Sequence, residues 1–391
     1  MNSENKRNSF CIYDDNSENN NTVSILAGGD FCPIRSFDKA ILEGKPVFDD
    51  TLCAEMKNKD VFLINLEAPL CETGLPGAVK GGGLRGAPET ADTLKKLGVD
   101  VASIANNHVR DFLDEGVLQT MEILKKHGIP YIGGGKNSED ADKMLILNIN
   151  GLKIGIWALA EKEYNLASET RPGTSYFFPE VNVYKIPELR KRVDFLMIFV
   201  HAGHEFMLTP SPRIRKAYRD FIKAGADIVI GHHPHVIQGI EKYENGWIAY
   251  SLGNLLFDSP YVSSYPDTDH GFMMRVKAGK HKVHKIEIIP YRIKPGLVKA
   301  LPAEEIQDYK ELLEKIGGNI TDEKIFIEEW RKNVIYRWPD YKGAFLKLVE
   351  NFTLDEKNMF LRNGKNFFQC PTHNELLFDA LNMMEEGTLE K

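Results

Sequence analysis

Seven side chains in this sequence are of the types that share metal ions: Asp30, Glu67, Asn107, His108, His201, His233 and His235. Carboxylate and amide oxygens mixed with neutral imidazoles suit Mn, Fe, Zn or Co rather than calcium. Two such ions about 3.5–4 Å apart, sharing one carboxylate, would activate a water and clamp a phosphoryl group. Glu67, near the middle of the set, is the candidate bridge. His233 and His235 occupy alternate positions of a turn and can reach separate ions. Asn107 is a candidate ligand, with His108 beside it as general acid. Six of the eleven histidines (His108, His201, His204, His232, His233, His235) fall in a few turns, a gathering that scattered core histidines would not produce. His232-His233-Pro234-His235 is the sharpest signal, because three histidines around a proline have little structural use.

Short apolar runs rich in β-branched residues position these groups. Strands are expected at 23–28, 61–65, 101–105, 153–160, 194–200, 227–231 and 247–253. Asp30 follows the first, Asn65 and Glu67 the second, and Asn107 and His108 the third. His201 follows the fifth, the histidine run the sixth, and Asn254 the last. In open α/β sheets, sites form beyond the carboxyl ends of strands, which is where these residues fall. Helical periods occupy 87–98, 116–128 and 211–225, the last two stopping at Gly128 and Gly225. Segments 271–277 and 282–290 predict a hairpin. The class is therefore α/β.

Residues 1–21, rich in Asn, Ser and Asp, are expected to form a disordered arm, and residues 22–295 the main domain. Residues 296–391 read as a helical extension, with helices at 303–317 and 321–336 and a capping-box start at Thr353-Leu-Asp-Glu356. No cluster of histidines or carboxylates stands out in it. His204 and Glu205, near His201, and His232 are expected to support the ligands or touch substrate, as are Asn65 and Asn254. Residues 81–86 match G-x-G-x-x-G but follow a Gly/Pro loop, so a flexible loop is expected, with Arg85 either meeting an anionic substrate or standing as an ordinary surface arginine. Cys32 reads as a buried structural thiol and His127 as a helix C-terminal residue.

Composition narrows the class. With 42% hydrophobic and 27% charged residues the chain is ordinary for a globular protein, and a net charge of −7 argues against a nucleic-acid binder. Five scattered cysteines without a C-x-x-C pair suggest neither a disulfide framework nor a zinc ribbon. The polar N-terminus and the lack of a long apolar run make a cytoplasmic location without a membrane span the expectation.

The segments GGDFCP (28–33), NLEAPL (65–70), SIANNHVRD (103–111), HAGHEF (201–206), GADIVIGHHPHVIQGIE (225–241) and YSLGNLLFD (250–258) resemble the motifs of the CapA family. These are bacterial capsule-synthesis proteins linked to poly-γ-glutamate and similar to the calcineurin-like metallophosphatases. The resemblance covers about residues 23–292. It implies a four-layer α/β/β/α sandwich with two divalent metal ions (Mn, Fe or Zn). Asp30 then stands as the first ligand, Glu67 as the bridge, Asn107 and His108 as the Asn-His pair, His201 as the isolated ligand, and His233 and His235 as the closing His-x-His. Metallophosphatases open with Asp-x-His, whereas the third position here is Cys32, so a nitrogen donor is missing there. The bridging position holds Glu in place of Asp. The leading expectation is a metal-dependent hydrolase of phosphoesterase type acting on an anionic small molecule or polymer, phosphoester or γ-glutamyl. The alternative is a non-catalytic metal- and polymer-binding accessory of a synthesis or export assembly. A degenerate fold without metal is the third reading.

Overall fold

The computed structural model describes residues 8–16, 21–77, 83–350 and 365–389. The chain is mixed α/β and its strands divide between two principal sheets. The larger sheet runs Phe10–Asp14, Lys282–Lys294, His270–Gly279, Val23–Cys32, Val61–Leu66, Val101–Ser103 and Tyr131–Ile132, with Asn254–Phe257 on Val23–Cys32 and Leu297–Ala300 on Lys282–Lys294. The smaller runs Ile240–Tyr243, Gly246–Ala249, Ile228–His232, Phe195–His201, Leu152–Ala160 and Leu145–Ile149. Each has a parallel centre. Val23–Cys32, Val61–Leu66 and Val101–Ser103 run together in one, and Leu152–Ala160, Phe195–His201 and Ile228–His232 in the other.

The strands are apolar on both faces, as parallel strands covered on both sides must be. Alternate side chains serve different cores. Val23, Ile25, Ala27, Val61 and Leu63 share a cluster with Ile154, Ile156, Met197, Ile228 and Ile230 of the other sheet. Leu26, Phe62 and Ile64 enter a second cluster with Phe37, Leu52, Leu94 and Leu124, which belong to the helices Ser36–Leu42, Asp50–Lys57, Thr90–Leu97 and Leu113–Lys126. Helix Pro212–Ala224 begins with Pro212 at its first position and with Ser211 as N-cap, whose hydroxyl accepts from the Ile214 amide. It ends at Gly225. Its Ile214, Tyr218 and Phe221 pack into the shared core.

Two expectations are corrected. Phe10–Asp14, inside the expected arm, is an edge strand antiparallel to Lys282–Lys294; its Phe10, Ile12 and Tyr13 pack on the shared core. The expected strand 247–253 is in fact a crossing between sheets. Gly246–Ala249 belongs to the smaller sheet, and after Tyr250–Gly253 the chain enters the larger one at Asn254–Phe257. The tail helices Ile306–Thr321, Glu323–Glu350 and Pro371–Glu385 pack back onto the domain, Tyr309, Leu313 and Ile320 in the shared core, and Trp330, Val334, Leu376 and Met383 around Met207. The capping-box start at Thr353 and Gly81–Gly82 of the glycine loop lie outside the described residues. The 270–294 hairpin forms as expected, and His127 caps its helix at the C-terminal end. Among the described residues no helix is long and apolar enough to cross a membrane.

Candidate metal centre

The carboxyl ends of the two parallel sets meet. From the larger sheet come Asp30, Asn65, Glu67 and Asn107; from the smaller, His201, His232, His233 and His235. The junction depends on a backbone approach at Gly29. A Cβ there would lie 1.9 Å from the Gly253 carbonyl oxygen, which accepts the Asp30 amide hydrogen at 3.1 Å. That hydrogen bond ties the Asp30 strand to the one that begins at Asn254. His233 and His235 flank Pro234 with φ of 95° and 59°, a left-handed region costly for any side chain but glycine. Such strain persists where the surroundings enforce it, and it clusters at functional sites. Here the His233 amide donates to Asp30 Oδ2 at 3.0 Å and the Phe206 amide to the Pro234 carbonyl at 2.8 Å.

Around His201 the donor atoms converge. His201 Nε2 lies 2.9 Å from Asn107 Oδ1, 3.1 Å from His233 Nδ1 and 3.4 Å from Glu67 Oε1. Ligand atoms bound to one ion at about 2.1 Å stand about 3.0–3.4 Å apart, so this spacing fits a coordination shell. A looser group lies beside it: His235 Nε2 is 3.8 Å from the same Glu67 oxygen, and His235 Nδ1 is 3.9 Å from Asp30 Oδ2. Asp30, Glu67 and His235 place one ligand atom each within 4.8 Å, as do Glu205, His233 and His235. Glu67 stands between the two groups, which suits the bridging role expected of it.

The electrostatics favour a cation. Glu67 is fully buried, and among the described residues neither carboxylate oxygen has a hydrogen-bond partner. Burial, then the charges of Asp30, Glu205, Glu163 and Asp111, raise its carboxyl well above the usual range. Burial also pushes Asp30 up, but the hydrogen bond and charge of His232, helped by His201 and His235, outweigh it and keep Asp30 ionised. Burial lowers His201, reinforced by His233, and burial lowers His235, so both rings are neutral as metal ligands must be. An unpaired buried carboxylate is costly, and a divalent ion is the usual remedy.

The supporting residues are mostly those expected. Asn65 Nδ2 donates to Asp30 Oδ1 at 2.7 Å and meets His201 Nδ1 at 3.0 Å. Asn254 Oδ1 is 2.9 Å from His235 Nδ1. His232 stacks on Phe199 and sets Nδ1 3.4 Å from Asp30 Oδ1. Glu205 lines the centre. His204 turns toward the tail, with Nε2 3.6 Å from Glu375 and its ring on Trp330. Arg85 is the exception. It is exposed, donates to the Glu72 carbonyl, sits over Phe112 and lines neither cavity at the centre. Cys32 is a buried thiol whose pKa burial raises, packed with Ile34, Ala68 and Phe257.

Other residues went unnoticed in the sequence. Asp111 Oδ2 lies 2.9 Å from His108 Nδ1, orienting the ring, and also accepts the Leu84 amide. Glu161 follows the strand Leu152–Ala160 and could have been found by the strand-end rule that located the others; Glu163 lies two residues on, with Oε1 4.0 Å from His233 Nε2. The tail, read as lacking chemistry, supplies Thr372 to Glu161, Asn366 to Glu163, and Glu375 to both His204 and Arg213. No local pattern announces those contacts, because their partners lie far away along the chain.

A two-sheet α/β fold with histidines, carboxylates and amides gathered at opposed strand ends defines a candidate metal-centre protein. The chain belongs to the bacterial capsule synthesis protein PGA_cap family, whose model matches residues 24–259. It is 27% identical over 295 residues to the capsule biosynthesis protein CapA of Bacillus anthracis, covering 72% of this chain and 71% of that one. It is 31% identical over 209 residues to the PGA biosynthesis protein CapA of Bacillus subtilis, covering 52% of this chain and 54% of the relative. Among solved structures, TT1561 of Thermus thermophilus aligns at 10% identity with a TM-score of 0.36 over 67% of this chain and all of the other, too low to argue from.

Proposed function

We propose that this PGA_cap-family chain is a metal-dependent hydrolase of phosphoesterase type, acting on an anionic phosphoester or γ-glutamyl substrate in capsule or poly-γ-glutamate biosynthesis. Its domain would be the four-layer α/β/β/α sandwich of the metallophosphatases, with the helices Ile306–Thr321, Glu323–Glu350 and Pro371–Glu385 as an added wall. The observation that carries the reading is Glu67, a fully buried carboxylate without hydrogen bonds, set among neutral histidines at ligand spacing. Glu67, Asn107, His201 and His233 would hold one divalent ion, and Asp30, Glu67 and His235 a second. Bound ions (Mn, Fe or Zn) supply a nucleophilic water near neutral pH and polarise the scissile group. The chain's own residues do the rest. Asp111 orients the His108 ring through Nδ1, and His108 would pass a proton to the leaving group. Asn65 and Asn254 fix the orientation of His201 and His235.

Elemental mass spectrometry of protein purified without chelator or metal-binding tag should find about two equivalents of metal per chain. The loaded protein should hydrolyse a phosphoester or γ-glutamyl substrate. His233→Ala and His235→Ala should lose metal and turnover together; His108→Ala should keep its metal and lose turnover roughly 10²–10⁴-fold. Full metal with no hydrolysis would favour the accessory role, and no metal after reconstitution would end the hydrolase reading.

A further inference from the structure

A cavity of about 300 Å³ lies between the tail helices and the metal centre. His233 and Glu205 stand on the domain side; Arg337, Tyr341 and His373 face them from the tail. The volume is at the small end of ligand pockets, roughly 300–1,000 Å³, so it suits one short group and not a folded partner.

Arg337 is the unusual member. It is only 8% exposed, and a guanidinium so buried is ordinarily gripped by a carboxylate fork. Here Nη1 is buried and, among the described residues, without a hydrogen-bond partner. Asp340 Oδ2 lies 3.2 Å away, but its side chain is 60% exposed and not aligned for a hydrogen bond. What holds Arg337 in place is aromatic, with Tyr265 at 5.3 Å and Phe206 at 5.9 Å from the guanidinium carbon. Phe206 stacks on Tyr265 at 3.9 Å and on His235 at 5.9 Å. Arg337 is thereby set in register with the metal centre through a rigid aromatic stack, while Nη1 keeps its donors for something else.

We propose that this cavity is the anion-anchoring subsite: Arg337 grips a carboxylate or phosphate group of the substrate while the bond to be broken lies beside His233. The proposal rests on the hydrolase reading of the adjoining centre and adds the substrate's second anionic group. It makes the tail, which lies outside the matched family region, the part that selects substrate.

The test is calorimetric titration of the full chain, metal-loaded and chelator-treated, with inorganic phosphate and separately with glutarate. Wild type should bind one of the two, which identifies the group. Arg337→Gln should weaken that binding roughly 10- to 100-fold with metal content unchanged, the range of one charge-assisted hydrogen bond, and Arg337→Lys should recover part of it. Asp340→Asn, a change at an exposed side chain, should tighten binding by removing a negative charge from beside the anion's place, and it decides the matter should Arg337→Gln fail to fold. Failure of wild type to bind either anion, or wild-type affinity in whichever of these variants folds, overturns the proposal. Arg337-dependent binding in a protein that hydrolyses nothing would keep the subsite and remove the hydrolase reading. Hydrolysis with Arg337-independent binding would do the reverse.

Discussion

Glu67 is a fully buried carboxylate whose titration bears on stability. In metal-free protein its raised pKa means the native state holds a proton that the unfolded chain, with an ordinary glutamate pKa of about 4.3, has already released. The native state then binds more protons, so this contribution to stability falls as pH rises from about 4.3 toward the raised value. His201 and His235 act in the opposite sense, since their depressed pKa values make stability rise with pH, but that effect is complete once pH passes about 6.5. Of the three, Glu67 alone destabilises the metal-free protein as pH rises. A divalent ion would replace its proton, so the metal-induced rise in Tm should be larger at pH 8 than at pH 6.5, measured by thermal unfolding with and without chelator. Glu67→Gln, which mimics the protonated form, should abolish the metal effect at both pH values while leaving the metal-free protein at least as stable at pH 8. A metal effect independent of pH would show that Glu67 is not the group that exchanges its proton.

At the scale of elements, the centre depends on how closely backbones approach at the strand ends. Gly29 lets the Gly253 carbonyl reach the Asp30 amide, and a methyl group there would meet that oxygen at 1.9 Å. Gly29→Ala should therefore cost at least about 1–3 kcal/mol, the usual penalty of overpacking, and should lower metal content because Asp30 is displaced. Gly343, in the middle of helix Glu323–Glu350, meets nothing within 4 Å, and Gly343→Ala should instead stabilise by roughly 0.5–1 kcal/mol. Urea unfolding of both variants separates a steric origin from a general intolerance of change. A Gly29→Ala protein as stable as wild type would mean the two strands can part without consequence.

Over the whole molecule, the tail helices are attached through charged contacts near the centre. Glu375 meets His204 at 3.6 Å and Arg213 at 3.4 Å, and it accepts the Arg213 amide at 2.9 Å. Burial pushes its carboxyl up, but His204 and Arg213 outweigh burial and leave it below the ordinary range. A depressed carboxylate contributes stability above its unfolded pKa of about 4.3, and that contribution is lost as pH falls through the folded value. Glu375→Gln should thus cost about 1.5–3 kcal/mol at pH 7 and progressively less below pH 4, by denaturant unfolding across pH. Amide exchange in Pro371–Glu385 should quicken, since the helix loses a tie to the domain. Unchanged exchange would mean that the apolar cluster around Met207 suffices to dock it.

The sequence alone determined the candidate ligands' place at strand ends, because apolar runs and the polar residues that stop them are local. Asp30, Glu67, Asn107, His201, His233 and His235 all come together as their positions implied. It also determined the 270–294 hairpin and the cap at Gly225. Only the tertiary structure decided that the strands belong to two sheets, so that carboxylates and amides come from one and histidines from the other. Fully buried strands look alike whichever sheet they join, and WIAYSLGNLLF carries no periodic mark of its crossing. Nor does local sequence carry the left-handed backbone of His233 and His235, which distant hydrogen bonds impose. Arg85 was misplaced and Arg337 overlooked for the same reason: where a long side chain ends up depends on the path by which the chain returns, and spacing along the chain does not encode that path.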